Sequence, residues 1–267
     1  MIEMGKVVLT VHDLDTVRAW YEQAVGLHTL RQEGDTAQLG VGQAVLLELR
    51  RDPAARRASP QEAGLFHTAF LLPGRGDLAR WARHAIDRRV PVAGASDHAV
   101  SEAIYLTDPE GNGVEIYADR PREAWQWQDG KVGMSTVALD VPGLLTQAGQ
   151  AAWQGFPAGA KIGHVHLQVG AIAPAEAFYT GVLGLDLTAR YPGGSFFAAD
   201  GYHHHLAVNI WNSQGAPVRA YPATGLSELQ IRLDPAALLA LRERAGPAWR
   251  DGALHDPWGS RIALLPR

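Results

Sequence analysis

Cysteine is absent from this chain, which removes disulfides, thiolate metal sites and a thiol nucleophile together. Any metal ligand must therefore be His, Asp or Glu. Basic charge is scarce as well: 24 Lys and Arg stand against 28 Asp and Glu, a formal net charge of −4. Binding to nucleic acid or to an anionic membrane needs clustered cations, so neither is an expected partner. No apolar run reaches bilayer-spanning length, and the opening stretch MIEMGKVVLTVHDLD puts acids and a lysine where a secretion signal needs an apolar core. These absences imply a cytoplasmic protein that works on a small molecule. What is present, 46% hydrophobic and 19% charged residues over 267 positions, describes a globular protein with a sizeable core.

The chain repeats itself, and the repeat sets the organisation. Gly5, Lys6, Val7, Val8, Leu9, Thr10 and Val11, followed by Ala19, Trp20, Tyr21 and Gly26, Leu27, recur as Gly163, His164, Val165, His166, Leu167, Gln168 and Val169, then Ala177, Phe178, Tyr179 and Gly184, Leu185. A weaker pair matches Gly64, Leu65 with Gly225, Leu226, and Asp108, Pro109, Gly111 with Asp256, Pro257, Gly259. Four modules result, in the order A, B, A′, B′. Each opens on an alternating apolar strand and passes through a helix to short strands separated by glycine turns. Helices are expected over 16–25, capped by Asp13 or Asp15, and over 77–89; strands are expected at 37–39, 44–49, 102–107, 114–118, 195–199 and 204–211. Along the chain this gives a first domain at 1–120 (A and B), a partly ordered connection at 121–160 rich in Trp, Gln and Gly, and a second domain at 161–267 (A′ and B′).

Histidine placement is the sharpest chemical signal. His67 and His164 lie on the opening strands of modules B and A′. Because Val165, Leu167 and Val169 must face the helix, alternation turns His164 and His166 to the opposite, concave side, and it turns His67 inward with Ala69. Glu115, between Val114 and Ile116, also points away from the apolar face. A lone inward His is usually a hydrogen-bonded core residue, and a lone Glu an ordinary strand-end acid. Two imidazoles and one carboxylate in matched places instead form the ligand set that leaves half of an octahedral ferrous ion open to substrate and oxygen.

The stretches IGHVHLQV, GYHHHLAVNIW, GLFHTAF and GASDHAVSEAIYLTDPEGNGVEIYADRPREAW together resemble the vicinal oxygen chelate superfamily, which unites glyoxalases, bleomycin resistance proteins and extradiol dioxygenases. The likeness covers nearly the whole chain and is nearest to the two-domain catechol 2,3-dioxygenase branch. It implies an α+β fold of four βαβββ modules paired into two barrel-like domains. It also implies a divalent metal, Fe2+ first and Mn2+ second, and an aromatic diol that chelates the metal before dioxygen cleaves its ring. His204 then resembles the acid–base histidine, and His98 and Tyr105 the residues that hold the substrate hydroxyl and the oxygen. Alternation through 203–205 would put His203 and His205 on the face opposite His204, leaving His203 to packing or the surface.

One departure from the family pattern is informative. The ligand places of the last two modules hold His164, Glu228 and Ala263, and module A carries Lys6 where A′ carries His164. Neither chain-order pairing therefore gives a full triad. Pairing B with A′ unites His67, Glu115 and His164, within one chain or between two chains of a homodimer, and leaves A with B′ as a structural barrel. Two other functions are compatible with the same residues: a glyoxalase-like lyase or isomerase, which would want a further carboxylate opposite the metal, and a non-catalytic small-molecule binding protein of the resistance type.

Overall fold

A computed structural model describes residues 2–267. Two curled sheets carry the architecture. The eight-stranded sheet runs, edge to edge, through Trp249–Arg250, Ala253–His255, Arg261–Pro266, Gly225–Leu233, Ile2–Val11, Ala44–Arg51, Thr36–Val41 and His28–Glu33. The nine-stranded sheet runs through Val137–Ala138, Gly94–Asp97, Ser101–Thr107, Gly113–Asp119, Gly64–Leu71, Lys161–Gln168, Leu206–Asn209, Gly194–Ala198 and Asp186–Tyr191. Modules A and B′ thus share one sheet, and B and A′ the other. The seams are the antiparallel pairs Ile2–Val11 with Gly225–Leu233, and Gly64–Leu71 with Lys161–Gln168. The crossed pairing of modules occurs within a single chain.

Local chemistry explains the elements. The helix Leu14–Trp20 starts where the Asp13 carboxylate accepts from Thr16 N–H at 3.0 Å, one of the two caps expected. It runs on as a π turn, Tyr21–Val25, and stops at Gly26, whose φ of 100° is open to a residue without Cβ. The A′ counterpart repeats the irregularity, Ile172–Glu176 followed by a π turn at Ala177–Val182. In module B the helix Arg75–Asp87 buries Leu78, Trp81, Ala82 and Ala85 at helical spacing, and Trp81 Nε1 donates to Ala24 O at 3.1 Å, tying module B to module A.

One apolar cluster runs through both sheets and these helices, drawing Val7, Leu9 and Val11 together with Val165, Leu167 and Val169 and with Leu229, Ile231 and Leu233. Polar residues on the opening strands are left to the concave faces. None of the described helices is long and apolar enough to cross a membrane.

The connection is more structured than its composition suggests. Short strands Trp127–Gln128 and Lys131–Val132 pair with each other, and Val137–Ala138 extends the nine-stranded sheet at Gly94–Asp97. Trp125 and Val132 join Val100, Ala189, Ala198 and Tyr202 in a small second core. The segment is thereby anchored over the B–A′ sheet.

The strand expected over 204–211 is shorter, Leu206–Asn209. Asp200 and Gly201 take positive φ values of 58° and 65°, and the chain turns there before the ladder begins. His203, His204 and His205 precede the strand, so period-2 alternation does not govern them. His203 therefore does not point away from His204: the two rings lie together, centroids 4.6 Å apart, and His203 is fully buried.

Candidate metal centre

Sheet register assembles the centre. On the B–A′ seam Ala69 faces His164 on one neighbouring strand and Glu115 on the other, and His67 lies two residues before Ala69 on the same face. Alanine in the middle leaves room for the two longer side chains to lean over it and meet the His67 ring. The result is a compact set: His67 Nε2 to Glu115 Oε2 is 2.9 Å, His164 Nε2 to the same oxygen 3.3 Å, and the two Nε2 atoms are 3.4 Å apart. Gly163 is needed beside His164, since a Cβ there would meet the Tyr117 hydroxyl at 1.8 Å.

The set is buried. His67, Glu115 and His164 are 5%, 2% and 2% exposed. Burial pushes the His164 imidazole down to about 4, against the opposing pull of Glu115, and holds His166 and His204 well below the ordinary histidine value. Burial also works against an ionised Glu115, but the rings of His164 and His67 outweigh it and hold the carboxyl well below the usual range. The ion-pair partners of the buried Glu115 carboxylate are the His67 and His164 rings, and a divalent cation held by all three would balance its charge.

The donor geometry fits such an ion. Atoms about 2.1 Å from a common ion and at right angles about it stand about 3 Å apart, close to the three distances here. His164 Nδ1 is buried without a hydrogen-bond partner, so the polar contacts of that ring run through Nε2. Among the described residues, His67, Glu115 and His164 form a group of His and acid side chains able to hold a metal ion.

These three open onto a cavity of about 640 Å³. Of the other residues singled out from the sequence, His98, Tyr105, His166 and His204 all line it. Tyr105 lies opposite Glu115 in the sheet, and its hydroxyl is 2.6 Å from His98 Nε2. Ser135 O, 2.7 Å from His98 Nδ1, can only accept, so a hydrogen sits on Nδ1. Burial, with Glu115 beside it, raises the Tyr105 hydroxyl well above its ordinary value. His166 Nε2 accepts from Asn209 Nδ2 at 3.0 Å, which leaves this ring packed against His67 with its Nε2 already engaged. The His204 ring sits 4.1 Å, centroid to centroid, from that of His164.

Several contributors had not been read from the sequence. The aromatic lining is Phe66, Phe196, Tyr191 and Trp211, and the connection adds Lys131 to Thr136 to it. Asp119, which accepts from His203 Nε2 at 2.8 Å, could have been found: Glu115, Tyr117 and Asp119 alternate along one strand onto one face. The connection's part carried no such signal, because its short strands have no period to follow.

Comparison with known proteins gives a consistent picture. The model of the Glyoxalase/Bleomycin resistance protein/Dioxygenase superfamily matches residues 3–116 and 161–225. A catechol-2,3-dioxygenase from Bacillus subtilis (strain 168) is 41% identical over 235 residues, 86% of this chain and 82% of that protein. Biphenyl-2,3-diol 1,2-dioxygenase 3 from Rhodococcus globerulus is 29% identical over 134 residues, 46% of this chain and 68% of that one. Among solved structures, a putative dioxygenase from B. subtilis superposes with a TM-score of 0.66 at 13% identity, covering 98% of this chain and 84% of that one. Glyoxalase I from Zea mays superposes with a TM-score of 0.60 at 15% identity, covering 100% and 92%. At such identities these two structures bear on the fold alone.

Proposed function

The chain belongs to the Glyoxalase/Bleomycin resistance protein/Dioxygenase superfamily, and we propose that within it the protein is an extradiol dioxygenase, opening the ring of a catechol-like diol at a single divalent metal. The observation that carries the reading is the convergence of His67 Nε2, His164 Nε2 and Glu115 Oε2 within 3.4 Å of one another at the floor of the cavity. The kinship with a catechol-2,3-dioxygenase over most of both chains supports it.

His67, His164 and Glu115 would hold the metal, Fe2+ by preference and Mn2+ as the alternative that the same ligand types suit. Bound there, a ferrous ion supplies a Lewis acid for both diol oxygens and redox contact with dioxygen. The remaining work falls to side chains. Phe66, Phe196, Tyr191 and Trp211 give an aromatic ring flat apolar surface and exclude water from it. His204, which lines the cavity with its ring beside that of His164, is placed to take a proton at a ring nitrogen from the diol hydroxyl. Tyr105, oriented by His98, offers its hydroxyl next to Glu115, where the second oxygen and the incoming dioxygen would need a hydrogen-bond partner. Addition of both oxygen atoms of dioxygen across the bond beside the diol yields a coloured semialdehyde.

The lining argues against the glyoxalase-like alternative. Among the described residues around the cavity Glu115 is the only carboxylate, so no second acid stands ready as a further ligand or as a base for enediolate formation. Metal analysis and an oxygen electrode test the proposal. Protein purified without chelators is expected to carry about one divalent metal per chain, and after anaerobic ferrous loading to consume oxygen with catechol. Glu115→Ala should lower both metal content and oxygen uptake at least about a hundredfold. Iron-loaded wild type that consumes no oxygen across a panel of catechols would end the dioxygenase reading.

A further inference from the structure

Behind His204 lies a hydrogen-bonded row that the proposed chemistry does not by itself require. His203 Nδ1 is 2.7 Å from His204 Nδ1, and His203 Nε2 is 2.8 Å from Asp119 Oδ1. Tyr202 Oη reaches the same carboxylate at 3.0 and 3.2 Å and stands 2.9 Å from Tyr117 Oη. His203 has no exposed surface, and both its ring nitrogens are spent in this row. It neither lines the cavity nor belongs to the apolar core. A fully buried polar ring satisfied on both edges, next to a residue that does line the cavity, calls for a role.

Following donors and acceptors fixes the hydrogens. A carboxylate only accepts, so Tyr202 and His203 Nε2 both donate to Asp119, and Tyr117 donates to Tyr202. When His203 carries a single hydrogen, the one Asp119 accepts from Nε2, its Nδ1 offers a lone pair. The short Nδ1–Nδ1 contact then needs its hydrogen from His204. That places the His204 hydrogen on Nδ1, and Nε2, the nitrogen left for the cavity, carries a lone pair.

From this row we infer that Asp119 and His203 are positioning residues: they select the tautomer of His204 whose Nε2 faces the substrate as an acceptor. In the other tautomer His204 would present N–H to a diol hydroxyl and could not take its proton. A proton arriving at Nε2 leaves the Nδ1–H bond already directed at a ring braced by a carboxylate, the arrangement that orients a base without a second group having to ionise. The inference rests on the reading of His204 as the base, and the test separates the two.

Histidine-selective 15N labelling of the full-length protein, loaded with zinc to keep it diamagnetic, reads the tautomers by two-bond proton–nitrogen correlations. The His204 signals are identified as those lost in His204→Gln. Wild type is expected to show His204 as the Nδ1–H form, and His203→Phe to move it toward the Nε2–H form. Asp119→Asn, which preserves shape, is expected to lower kcat with catechol roughly ten- to a hundredfold in the iron-loaded enzyme, with KM within about twofold and metal content unchanged. His204 found as Nε2–H in the wild type would overturn the inference whatever the activities, and so would Asp119→Asn with wild-type kcat. A His204→Gln variant of full activity would instead sink the role of His204 as base while leaving the tautomer measurement standing.

Discussion

The molecule contains its own control experiment, because the A–B′ sheet repeats the B–A′ sheet with the ligands exchanged for other side chains. Where the B–A′ seam holds His164, His67 and Glu115, the A–B′ seam holds Lys6, Glu228 and Ala263. Where Ala69 leaves space between the ligand strands, Gln230 fills it, and its Cβ lies 2.7 Å from where a side chain on Gly5 would begin. The charge is settled internally. Lys6 forms an ion pair with Glu48, which also accepts from Gln38 at 2.9 Å and Arg50 at 2.8 Å, while Glu228 accepts from Arg261 at 2.8 Å and Gln230 at 3.0 Å. One barrel thus meets Glu48 and Glu228 with Lys and Arg side chains. The other pairs Glu115 with imidazoles. The same backbone supports a network of fixed ion pairs in one half and a cluster of metal-ligand types in the other, which teaches that the ligand chemistry was not imposed by the fold.

The most direct way to break the contrast is to carry Gln230's role across. In Ala69→Gln the amide would occupy the space over which Glu115 and His164 meet His67. The expected result is loss of metal content by more than about tenfold and of oxygen uptake in proportion, with circular dichroism and melting temperature little changed. Metal content measured by elemental analysis and equal to wild type would show that the alanine gap is not what opens the site.

The converse concerns Glu48. Its neighbours Lys6, Gln38 and Arg50 outweigh the burial that would raise it and bring its carboxyl down to about 2, below its unfolded value of 4.5. The sign follows from linkage: a depressed acid stabilises the fold fully above the unfolded value and loses that contribution as pH falls from 4.5 towards 2. Glu48→Ala should therefore cost about 1–3 kcal/mol at pH 7 in urea titrations, leaving Lys6 unpaired, and the difference from wild type should shrink over that acid window. Metal content should be untouched, since the residue serves the other barrel. A stability gap that is constant from pH 7 to pH 3 would mean the ion pair contributes nothing.

What was legible in the sequence followed from its internal repeat, from strand alternation and from its resemblance to a known family. The modules followed from the internal repeat and the inward direction of His67, Glu115 and His164 from period-2 alternation, while the crossed pairing followed from the family resemblance, whose ligand places hold Lys6, Glu228 and Ala263 in the other pairings. Alternation does not hold where the backbone leaves the pleat. At His203 and His204 the chain is still turning, so neighbours in sequence lie on one side, and alternation separated two residues that are 2.7 Å apart. The wall from Lys131 to Thr136 was invisible for a related reason. Its position is set by long-range contacts, Val137 with Asp97 and Ser135 with His98, and not by a repeating pattern of its own.

That wall gives the smallest expected effect and the finest test of how the barrels differ. The connection touches the cavity only on the B–A′ side, through Lys131, Val132, Gly133, Met134, Ser135 and Thr136, and Met134 packs on the small core formed by Trp125, Val132 and Tyr202. Methionine is unbranched and adapts its shape, so truncating it enlarges the cavity without stranding a polar group. Met134→Ala should raise the KM for catechol about two- to fivefold while kcat and metal content stay near wild type, because the ligands and Tyr105 hang from other strands and His204 from the turn before Leu206–Asn209. A bulkier catechol should suffer less than catechol itself, or gain, as the space vacated is filled. If instead kcat falls and KM holds, the connection is acting through the His98–Ser135 hydrogen bond on Tyr105, and the wall is part of the reacting assembly rather than a boundary of it.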